Sequence, residues 1–577
     1  MNAEIRQRIE TLLAKYPVWQ RRTIGDHFDR VVEKYGDRYY ILAEEAQYTY
    51  SQVKQLSDRL ARGLIAMGIR PREHVALLMG NYPEFAIIVL ALVKIGAVCV
   101  PINPVLNVRE LGFVLRDSDA VALIANDRLG KTDYSKILAG LFAGCLGEGE
   151  GEGFSPGFPL LRNVVLFSPE SREYPGVRSL NSLMELGDTV SEDERRRVQR
   201  ETAYPDDTCF IMYTSGTTAE PKGVMLTHDM LLRGAYASCL ARAAQDGRRI
   251  YFPIPFYHIF AIEQAFLFVT FVGGAMIPHL QFAPQSALAL MEKYRANDFL
   301  CVPTILLSIL NCPELDRFDL SSLTAVLCAS TPAPLPLWKR ARDELKLTEL
   351  STGYGMTEVA GAGVLSWPGD DIEILATRVG RMMYGGSSGL EEFGGRNIQY
   401  KVVDPFTGRD LPPGSEGELA CRGNIVTRGY YKRPQENAAL IDKDGWLRTG
   451  DMGIIHPDGL LQLTGRSKEM YKTSGENVVP KEVEEYISTY HKVNQVYVVG
   501  VPHQVMGDVG VAFIELKPGE ECTRREIIEH CRRGLAKFKV PRYFFFVRGD
   551  ELPFTSSGKV QKYKLVEEAL RRIKKGG

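Results

Sequence analysis

The chain has 577 residues, of which 45% are hydrophobic and 24% charged, and this is typical of a globular protein too long for one core. Its formal net charge of −1 gives no global field that would recruit nucleic acid or an anionic membrane. The ten cysteines include no CxxC pair, which argues against structural zinc and a disulfide framework and favours a reducing cytoplasm.

The first part of the chain alternates helices with apolar strands. Its N-terminal residues are charged and amphipathic, and they contain no apolar secretion signal. Residues 52–67 place apolar side chains at helical spacing, and we expect Ser51 to cap this helix. The runs VALLM (75–79) and AVCVPI (97–102) predict buried strands on either side of a helix that Gly96 ends. This alternation predicts an α/β fold with sheets that are partly parallel and covered by helices.

Residues 213–224, YTSGTTAEPKGV, gather small hydroxyls, two glycines and one lysine between two apolar runs. Such glycines let backbone N–H groups turn toward an anion, the hydroxyls can donate to phosphoryl oxygens, and Lys222 adds a positive charge. The stretch is not a GxxxxGK[ST] loop, because no Ser or Thr follows the lysine to hold a metal. A surface turn is the commoner structure for such a loop taken alone. It therefore indicates a phosphate site only together with other motifs.

A histidine precedes the most apolar part of the chain. His258 lies in FYHIF, at an expected turn from strand to helix, where it could gate a pocket or could simply be a partly buried side chain. Residues 265–276, AFLFVTFVGGAM, are too few to span a bilayer and predict a buried helix. Peripheral membrane contact stays open for this stretch.

The segment STGYGMTE (351–358) offers an aromatic ring, two glycines, a hydroxyl and a carboxylate. A carboxylate and a hydroxyl beside a phosphate loop are groups that commonly hold Mg²⁺, with water and phosphate completing the coordination. The alternative is that Thr357 caps a helix and does nothing more.

The last third of the chain contains three further polar segments. GWLRTGD ends in Asp451, whose carboxylate could accept hydrogen bonds from both hydroxyls of a ribose, although a lone Asp in a turn is usually structural. GRSKEMYKTSG (465–475) leads to Pro480, which suits the first turn of a helix, and we interpret it as a domain junction. The remaining residues predict a small α+β domain with the loop PFTSSGKVQK (553–562) near its end.

Six of these segments resemble, in residues and in order, those of the adenylate-forming superfamily, which includes acyl-CoA synthetases, nonribosomal-peptide adenylation domains and beetle luciferases. They are YTSGTTAEPKGV, FYHIF, STGYGMTE, GWLRTGD, GRSKEMYKTSG and PFTSSGKVQK. The resemblance extends from near Tyr48 to Lys562. It implies a large N-terminal adenylation domain at residues 1–467 with mixed, partly parallel sheets, and a small mobile C-terminal α+β domain at residues 468–577. The implied hinge between these domains is Lys468.

The resemblance also implies a reaction in two halves that share one pocket. In the first half, a carboxylate attacks the α-phosphate of ATP to give an acyl adenylate and pyrophosphate. In the second half, the thiol of coenzyme A attacks the adenylate, after the small domain has rotated about its hinge. Catalysis of this kind depends on positioning and on the neutralisation of anions.

Residue roles in the first half follow from the same resemblance. The loop from Thr214 to Lys222 would hold the β- and γ-phosphates, and Thr357 would meet the α-phosphate. Tyr354 would stack near adenine. The implied metal ligands for Mg²⁺ are Thr214 and Glu358.

The other implied roles concern the ribose, the acid and the thiol. Asp451 and Arg466 would hold the ribose, and Lys559 would bridge the α-phosphate and the attacking carboxylate. His258 would lie between the acid and the path of the thiol, and the backbone at Gly475 would line a pantetheine tunnel. The residues expected to catalyse are Lys222, His258, Glu358 and Lys559. The residues expected to bind ATP or coenzyme A are Thr214, Ser215, Gly216, Thr217, Thr218, Lys222, Tyr354, Gly355, Met356, Thr357, Asp451, Arg466, Lys468, Gly475 and Lys559.

Two stretches depart from the pattern of the superfamily. CASTPAPLP (328–336) has Ser330 and Thr331 at positions where members of the superfamily generally have a glycine-rich sequence beside adenine and the acyl pocket. Residues 378–400 are glycine-rich and longer than expected. The walls of the adenine and acyl pockets are therefore not assigned.

The resemblance favours an AMP-forming carboxylate–CoA ligase that acts on a hydrophobic acid, either fatty or aryl. One alternative is an acyl-AMP ligase that loads a carrier protein, and another is a nucleotide-binding homologue without catalysis. The expected partners are a small carboxylic acid, ATP and coenzyme A, without nucleic acid or a transmembrane segment. A cytoplasmic location is expected, and a homodimer is left open.

Overall fold

The computed structural model describes residues 3–44, 46–142, 157–214, 221–473, 476–503, 506–555 and 559–574. Contacts within the chain divide it into two compact units. Unit 1 comprises Met1–Gln399 and Arg422–Ile441, and unit 2 comprises Tyr400–Cys421 and Asp442–Gly577. The domain boundary expected at residues 467 and 468 falls inside unit 2 and stays a prediction.

Strands occur throughout both units. In chain order they are β1 (Tyr39–Leu42), β2 (Gln47–Thr49), β3 (His74–Leu78), β4 (Val98–Pro101), β5 (Ala120–Asn126), β6 (Arg128–Leu129), β7 (Thr132–Asp133), β8 (Asn163–Phe167), β9 (Arg178–Ser179), β10 (Thr208–Thr214), β11 (Lys222–Thr227), β12 (Arg249–Phe252), β13 (Ala275–Pro278), β14 (Asp298–Cys301), β15 (Ala325–Cys328), β16 (Glu349–Ser351), β17 (Gly353–Met356), β18 (Gly361–Leu365), β19 (Arg381–Met382), β20 (Ile398–Val403), β21 (Glu416–Gly423), β22 (Leu447–Ile455), β23 (Leu461–Arg466), β24 (Tyr471–Thr473), β25 (Glu476–Val478), β26 (Val493–His503), β27 (Gly507–Leu516) and β28 (Tyr543–Phe546).

Helices separate most of these strands. In chain order they are α1 (Ala3–Lys15), α2 (Ile24–Tyr35), α3 (Tyr50–Ala66), α4 (Pro83–Lys94), α5 (Val108–Asp117), α6 (Tyr134–Leu141), α7 (Leu180–Leu186), α8 (Glu192–Thr202), α9 (His228–Ala241), α10 (Ile259–Ala261), α11 (Phe268–Val272), α12 (Pro284–Lys293), α13 (Pro303–Leu310), α14 (Leu335–Glu344), α15 (Ile372–Thr377), α16 (Pro434–Leu440), α17 (Pro480–Ser488), α18 (Arg524–Gly534) and α19 (Lys562–Lys574). A π-helix, Ile262–Leu267, lies between α10 and α11.

Unit 1 contains two seven-stranded sheets. One has the order β16-β15-β14-β12-β13-β1-β2, and the other has the order β11-β10-β4-β3-β5-β8-β9. In both sheets, neighbouring strands are parallel except at one edge, where β2 pairs antiparallel with β1 in the first sheet and β11 with β10 in the second. The predicted α/β class with mixed, partly parallel sheets is confirmed. The strands predicted at residues 75–79 and 97–102 are β3 and β4.

The N-cap of helix α3 lies two residues before the predicted cap. Its N-cap is Thr49, whose hydroxyl accepts a hydrogen bond from the N–H of Gln52, while the Gln52 side chain accepts one from the N–H of Thr49. This reciprocal pair satisfies two N–H groups at the helix start. The prediction of Ser51 as the cap is therefore wrong, because Ser51 is already helical.

The predicted buried helix at residues 265–276 is confirmed for its first part. The π-helix and α11 cover residues 262–272, and every residue in them is buried. Gly273 ends α11 with a positive φ of 57°, and the chain then enters β13. Within the described residues, we find no helix whose length and apolar character would let it cross a membrane.

Unit 2 contains most of a four-stranded sheet, β20-β21-β22-β23, and a sheet of β25-β24-β27-β26 with β28 beside β27. Helix α17 starts at Pro480, as the sequence predicted. Buried apolar residues of α17 and α18, among them Val483 and Ile527, pack with Val498 of β26 in one core cluster. The predicted α+β character of the C-terminal part is confirmed.

Candidate active site

The predicted phosphate loop joins two antiparallel strands. Thr214 ends β10 and pairs with Lys222, the first residue of β11. The Thr214 hydroxyl donates to the carbonyl oxygen of Lys222 over 3.5 Å. Because β10 is parallel to β4 on its other side, the loop leaves from the carboxyl end of a parallel strand, where ligands commonly bind in such sheets. The expected ligands Ser215, Gly216, Thr217 and Thr218 lie outside the described residues.

A short segment of unit 1, residues 427–431, is hydrogen-bonded to residues 223–225 of β11. The N–H of Tyr431 donates to the carbonyl oxygen of Gly223 over 2.8 Å, and the Thr427 hydroxyl donates to that of Met225 over 2.6 Å. Between these bonds, Tyr430 lies beside Lys222, whose ammonium nitrogen is 5.3 Å from the centroid of the tyrosine ring. The pairing therefore carries an aromatic side chain to the start of β11.

Glu358 is held by the same segment at two points. Its carbonyl oxygen accepts a hydrogen bond of 2.7 Å from the N–H of Thr427, and its Oε1 accepts one of 2.8 Å from the Tyr430 hydroxyl. Burial and the neighbouring Glu358 carboxylate raise the pKa of Tyr430, so the phenol remains a neutral donor. The structure thus brings Lys222 and Glu358, from two predicted motifs, to one tyrosine, the lysine at its ring and the carboxylate at its hydroxyl. Sequence reasoning missed Tyr430, because the motif GYY shows no chemistry by itself.

Lys222 also faces an acidic residue that sequence reasoning missed. Its ammonium nitrogen is 3.9 Å from Oε1 of Glu436, in the first turn of α16. A triphosphate carries more negative charge than one carboxylate, so it would compete well for this lysine.

The donors in this part of unit 1 fit Mg²⁺ bound together with phosphates. Glu358 offers a carboxylate and Thr214 a hydroxyl, and both are the hard oxygen ligands that this ion prefers. In the described part of the chain, no three His, Cys, Asp or Glu side chains gather in a way that could hold a metal. One carboxylate is what a magnesium site needs when phosphate oxygens supply other ligands.

The segment STGYGMTE forms β17 and the start of the turn that leads into β18, with which β17 makes a tight hairpin. Gly355 is required for this hairpin, because a Cβ atom there would lie 2.0 Å from the carbonyl oxygen of Gly361. Tyr354 is buried, and Met356 pairs with Gly361 at the end of β17. Thr357 begins a single 3₁₀ turn in which Met356 holds the N-cap position. Thr357 is therefore not the cap of a helix, and its role with the α-phosphate stays a prediction.

His258 is the N-cap of α10, and its Nδ1 accepts a hydrogen bond of 3.2 Å from the N–H of Phe260. The loop before it is fixed by Asn81, whose Oδ1 accepts from the N–H of Phe256 over 2.8 Å and whose Nδ2 donates to the carbonyl oxygen of Ile254 over 3.0 Å. The structure thus gives His258 a capping role. The gating role stays a prediction, and Asn81, missed in the sequence, lies 177 residues earlier in the chain.

A buried carboxyl group lies directly behind the hairpin. Glu263, in the π-helix, accepts hydrogen bonds from the side chain of Gln264 at 2.6 Å, from the N–H of Ala362 at 3.4 Å and from the Ser238 hydroxyl. Burial raises the pKa of this carboxyl to about 7. Gly361 has a φ of +118°, and a Cβ atom there would come within 2.8 Å of Glu263. Glu263 therefore supports the turn that follows Glu358.

In unit 2, three of the predicted residues come together. Asp451 of β22 pairs with Arg466 of β23, and the Arg466 Nε is 3.1 Å from Oδ1 of Asp451. Asp451 lies inside a strand, so the expectation that it lies in a turn is wrong. Burial and the charge of Arg466 lower the pKa of Lys559, and the charge of Asp451 raises it, so the three charged groups interact. A carboxylate–guanidinium pair beside an ammonium group suits recognition of a sugar and a phosphate.

The loop around Lys559 is closed by two hydrogen bonds with Thr555. The N–H of Thr555 donates to the carbonyl oxygen of Lys559 over 2.7 Å, and the N–H of Lys559 donates to the Thr555 hydroxyl over 3.0 Å. Lys468 lies in the 3₁₀ turn Ser467–Glu469, directly after β23. Gly475 lies outside the described residues. The hinge and the pantetheine tunnel stay predictions.

The two stretches that depart from the superfamily pattern have structural explanations. Ser330 has a φ of +78°, a backbone conformation that favours glycine. A glycine would therefore be expected at this position. In the glycine-rich stretch 378–400, the Ser387 hydroxyl donates to the carbonyl oxygen of Tyr16 over 2.7 Å, and a Cβ atom on Gly386 would lie 2.6 Å from Leu13. Part of that stretch therefore packs against the N-terminal segment of unit 1.

Comparisons with known proteins cover nearly the whole chain. A family model described as AMP-binding enzyme matches residues 28–431, and one described as AMP-binding enzyme C-terminal domain matches residues 482–559. YngI of Bacillus subtilis, named as an acyl-CoA synthetase, is 33% identical over 552 residues, covering 95% of this chain and 97% of that protein.

Two further matches extend the comparison. The mitochondrial medium-chain acyl-CoA ligase ACSF2 of Danio rerio is 30% identical over 573 residues, covering 97% of this chain and 90% of that protein. The crystal structure of ATP-bound MatB from Rhodopseudomonas palustris has a TM-score of 0.78 and 26% identity, covering 94% of this chain and 98% of that one.

Proposed function

The chain belongs to the AMP-binding enzyme family, and from that premise we propose that it joins a hydrophobic carboxylic acid to coenzyme A with the help of Mg²⁺. The resemblance carried by the six sequence segments is confirmed. The protein uses ATP and is an AMP-forming acid–thiol ligase of the acyl-CoA synthetase type, working through an acyl adenylate. The observation that carries the proposal is the cluster of Lys222, Tyr430 and Glu358 beside the phosphate loop.

The proposed reaction exchanges two bonds in sequence. A carboxylate oxygen of the acid attacks the α-phosphorus of ATP, and the bond from that phosphorus to the bridging oxygen breaks, so that pyrophosphate leaves. The sulfur of coenzyme A then attacks the acyl carbon, and the bond from that carbon to the adenylate oxygen breaks. AMP leaves with the electron pair, and the thiol proton passes to solvent.

We assign the binding of ATP, Mg²⁺ and the acid in the first half-reaction to named residues of this chain. Lys222 and the hydroxyl of Thr214 would bind the β- and γ-phosphates, and Thr357 would contact the α-phosphate. Glu358 and Thr214 would hold Mg²⁺, which when bound offsets the negative charge that builds up on the departing pyrophosphate. Asp451 and Arg466 would bind the ribose, and Lys559 would act on the attacking carboxylate.

The acid is proposed to be fatty or aryl. The chain after His258 is largely apolar and is buried from residue 261 through residue 272, and α13 adds further aliphatic side chains. A relative of this chain is named as a medium-chain acyl-CoA ligase, which supports a hydrophobic acid. Such residues are suited to line a pocket for an alkyl or aromatic group, because its transfer from water is favourable.

We also propose a cytoplasmic location. Every cysteine in the described part of the chain is a free thiol, and all of these except Cys522 are buried, which suits a reducing compartment. Peripheral membrane contact and a homodimer stay predictions from the sequence.

One assay tests the reaction and its acceptor. Purified protein is given ATP, Mg²⁺ and a panel of fatty, aryl and alicyclic acids, with coenzyme A, with a carrier protein, or with neither. We expect pyrophosphate and AMP for a hydrophobic acid, and a thioester only with coenzyme A. The Glu358→Gln variant, which keeps the shape but removes the charge, should release pyrophosphate at least tenfold more slowly.

Other outcomes would identify the alternatives. Thioester on the carrier protein alone would indicate an acyl-AMP ligase, and ATP binding without pyrophosphate release for any acid would indicate a silent homologue. ADP and phosphate as products would contradict the reaction class.

A further inference from the structure

We propose that Tyr430 is a positioning residue that holds Glu358 and Lys222 in place for a single magnesium–triphosphate group. This inference rests on the proposed function, because it assumes that these two residues meet the metal and the phosphates. It goes beyond that function in assigning a role to a tyrosine outside the six recognised segments.

The hydroxyl of Tyr430 restrains the Glu358 carboxylate. It donates to Oε1 over 2.8 Å, and Thr427, three residues earlier, donates its N–H to the carbonyl oxygen of Glu358 over 2.7 Å. The main chain and the side chain of Glu358 are therefore both held by one segment. Because a phenol is a neutral donor, the carboxylate keeps the full negative charge that a divalent cation requires. An arginine or lysine in the same place would neutralise that charge.

The ring of Tyr430 restrains Lys222 by a different interaction. The ammonium nitrogen lies 5.3 Å from the ring centroid, within the range of a cation–π contact. This contact holds the charge near the start of β11 without requiring a hydrogen bond from the ammonium group. The backbone of Tyr430 is held by a bridge with Val224 of β11, and its side chain is held by the hydrogen bond to Glu358. One side chain thus sets the distance between a cation and an anion that both act on the nucleotide.

The neighbouring tyrosine supplies a matched control. Tyr431 also donates its hydroxyl to a carboxylate over 2.8 Å, but its partner is Asp119, which has no place in the candidate site. Its ring packs against the apolar cluster of the sheet that contains β3, β4 and β5. Replacing either tyrosine with phenylalanine removes one hydrogen bond of the same length and the same chemical type. The two lost bonds differ in their carboxylate, which is Glu358 for Tyr430 and Asp119 for Tyr431.

The experiment compares wild type, Tyr430→Phe and Tyr431→Phe in the absence of acid, so that no turnover occurs. Calorimetry measures the affinity for ATP with Mg²⁺ and with a chelator, and electron paramagnetic resonance measures Mn²⁺ binding in the presence of ATP. We expect Tyr430→Phe to lose about 10- to 100-fold in affinity for metal-bound ATP, the usual effect of removing a partner of a ligating carboxylate. Its affinity for metal-free ATP should stay within about twofold, because the ring that holds Lys222 remains. Tyr431→Phe should match wild type in both measurements.

A second variant tests the part of the proposal that concerns the ring. Tyr430→Leu removes the ring and the hydroxyl, so it should weaken the binding of metal-free ATP as well as that of metal-bound ATP. If Tyr430→Leu binds metal-free ATP as wild type does, the ring does not position Lys222.

Three results would overturn the inference. Equal affinity of wild type and Tyr430→Phe for Mn²⁺ and metal-bound ATP would show that the hydroxyl does not position Glu358. Equal losses in Tyr430→Phe and Tyr431→Phe, with equal falls in melting temperature, would show a loss of folding stability instead. If wild type itself binds no metal-bound ATP, the proposed function fails and this inference falls with it.

Discussion

The buried carboxyl of Glu263 makes the stability of unit 1 depend on pH. Its pKa is raised to about 7 because burial disfavours the charged form, and this outweighs the hydrogen bonds from Ser238, Gln264 and the N–H of Ala362 and the charge of Arg242, which lower it. An ordinary glutamic acid has a pKa near 4.5. Between pH 4.5 and about 7 the unfolded chain therefore loses this proton before the folded chain does. The contribution of Glu263 to the free energy of unfolding is therefore present in full at low pH, and it is lost as the pH rises through this window.

We predict that Glu263→Gln removes this pH dependence. The free energy of unfolding of the variant, relative to wild type, should rise by up to about 3 kcal/mol between pH 5 and pH 8, because a neutral amide does not have to be ionised. Chemical unfolding of both proteins at the two pH values measures the change. The prediction is wrong if the difference between the two proteins is the same at both values.

Sequence reasoning at the residue scale found charged groups more readily than their partners. Lys222 and Glu358 stood out because each lies in a polar motif, and the structure brings both to Tyr430. Tyr430 could not be found in the same way, since its importance depends on residues 427–431 pairing with β11, about 200 positions earlier in the chain. Asn81 was missed for the same reason, as its amide bonds to residues of a distant loop. Hydrogen bonds between distant segments leave no periodic signal in a sequence.

At the scale of elements, the apolar runs of unit 1 predicted strands well. β4 and β5 are buried throughout and β3 is buried after His74, so their sequences are almost continuously apolar and easy to recognise. β22 was harder, because it carries the polar residues TGD in its middle, and Asp451 was therefore expected in a turn. The partner β23 explains the difference, since its pairing with β22 satisfies backbone groups that the sequence alone would assign to a loop.

The start of α3 offers a test at the same scale. The structure gives the cap to Thr49, whereas the sequence pattern had favoured Ser51. We predict that Thr49→Ala lowers the free energy of unfolding by about 1 kcal/mol, because the N–H of Gln52 loses its acceptor. Ser51→Ala, which changes a hydroxyl two residues later, should alter it by less than about 0.5 kcal/mol. Chemical unfolding of the two variants under one set of conditions provides the comparison, and equal losses would show that Thr49 is not the dominant cap.

For the whole molecule, the chain divides into two units, and each carries part of the predicted chemistry. Unit 1 contains the phosphate and metal candidates, and unit 2 contains Asp451, Arg466 and Lys559. The family resemblance could be drawn from short motifs because each motif is local in sequence. The boundaries of the units could not be predicted from such motifs. Residues 422–441 belong to unit 1, although the residues on both sides of them belong to unit 2. The amino-acid composition of residues 422–441 does not show that the chain returns to unit 1 there.

The proposed reaction predicts that Lys559 and Gly475 serve different halves of the cycle. Lys559→Ala removes a positive charge expected where the attacking carboxylate and the α-phosphate meet. Loss of one such preorganised group commonly costs about 2.7 to 4 kcal/mol, or roughly 10²- to 10³-fold in rate. We therefore expect pyrophosphate release to fall by that factor. Thioester formation from supplied acyl adenylate should persist, because the two anions no longer have to be brought together.

Gly475→Leu should have the opposite effect, since a large side chain would fill the expected path of pantetheine and leave the ATP and acid sites intact. A single turnover to acyl adenylate should then proceed at the wild-type rate, and coenzyme A should fail to complete it. Rapid-quench measurements of each half-reaction test both variants, with Lys564→Ala, an exposed lysine of α19, as a control for the loss of a nearby charge. If the two variants lose both halves in parallel, together with melting temperature, each residue serves stability alone. If neither half slows in either variant, the assignment of the two residues to separate steps is wrong, and the proposal that the chain uses two arrangements in its cycle has to be withdrawn.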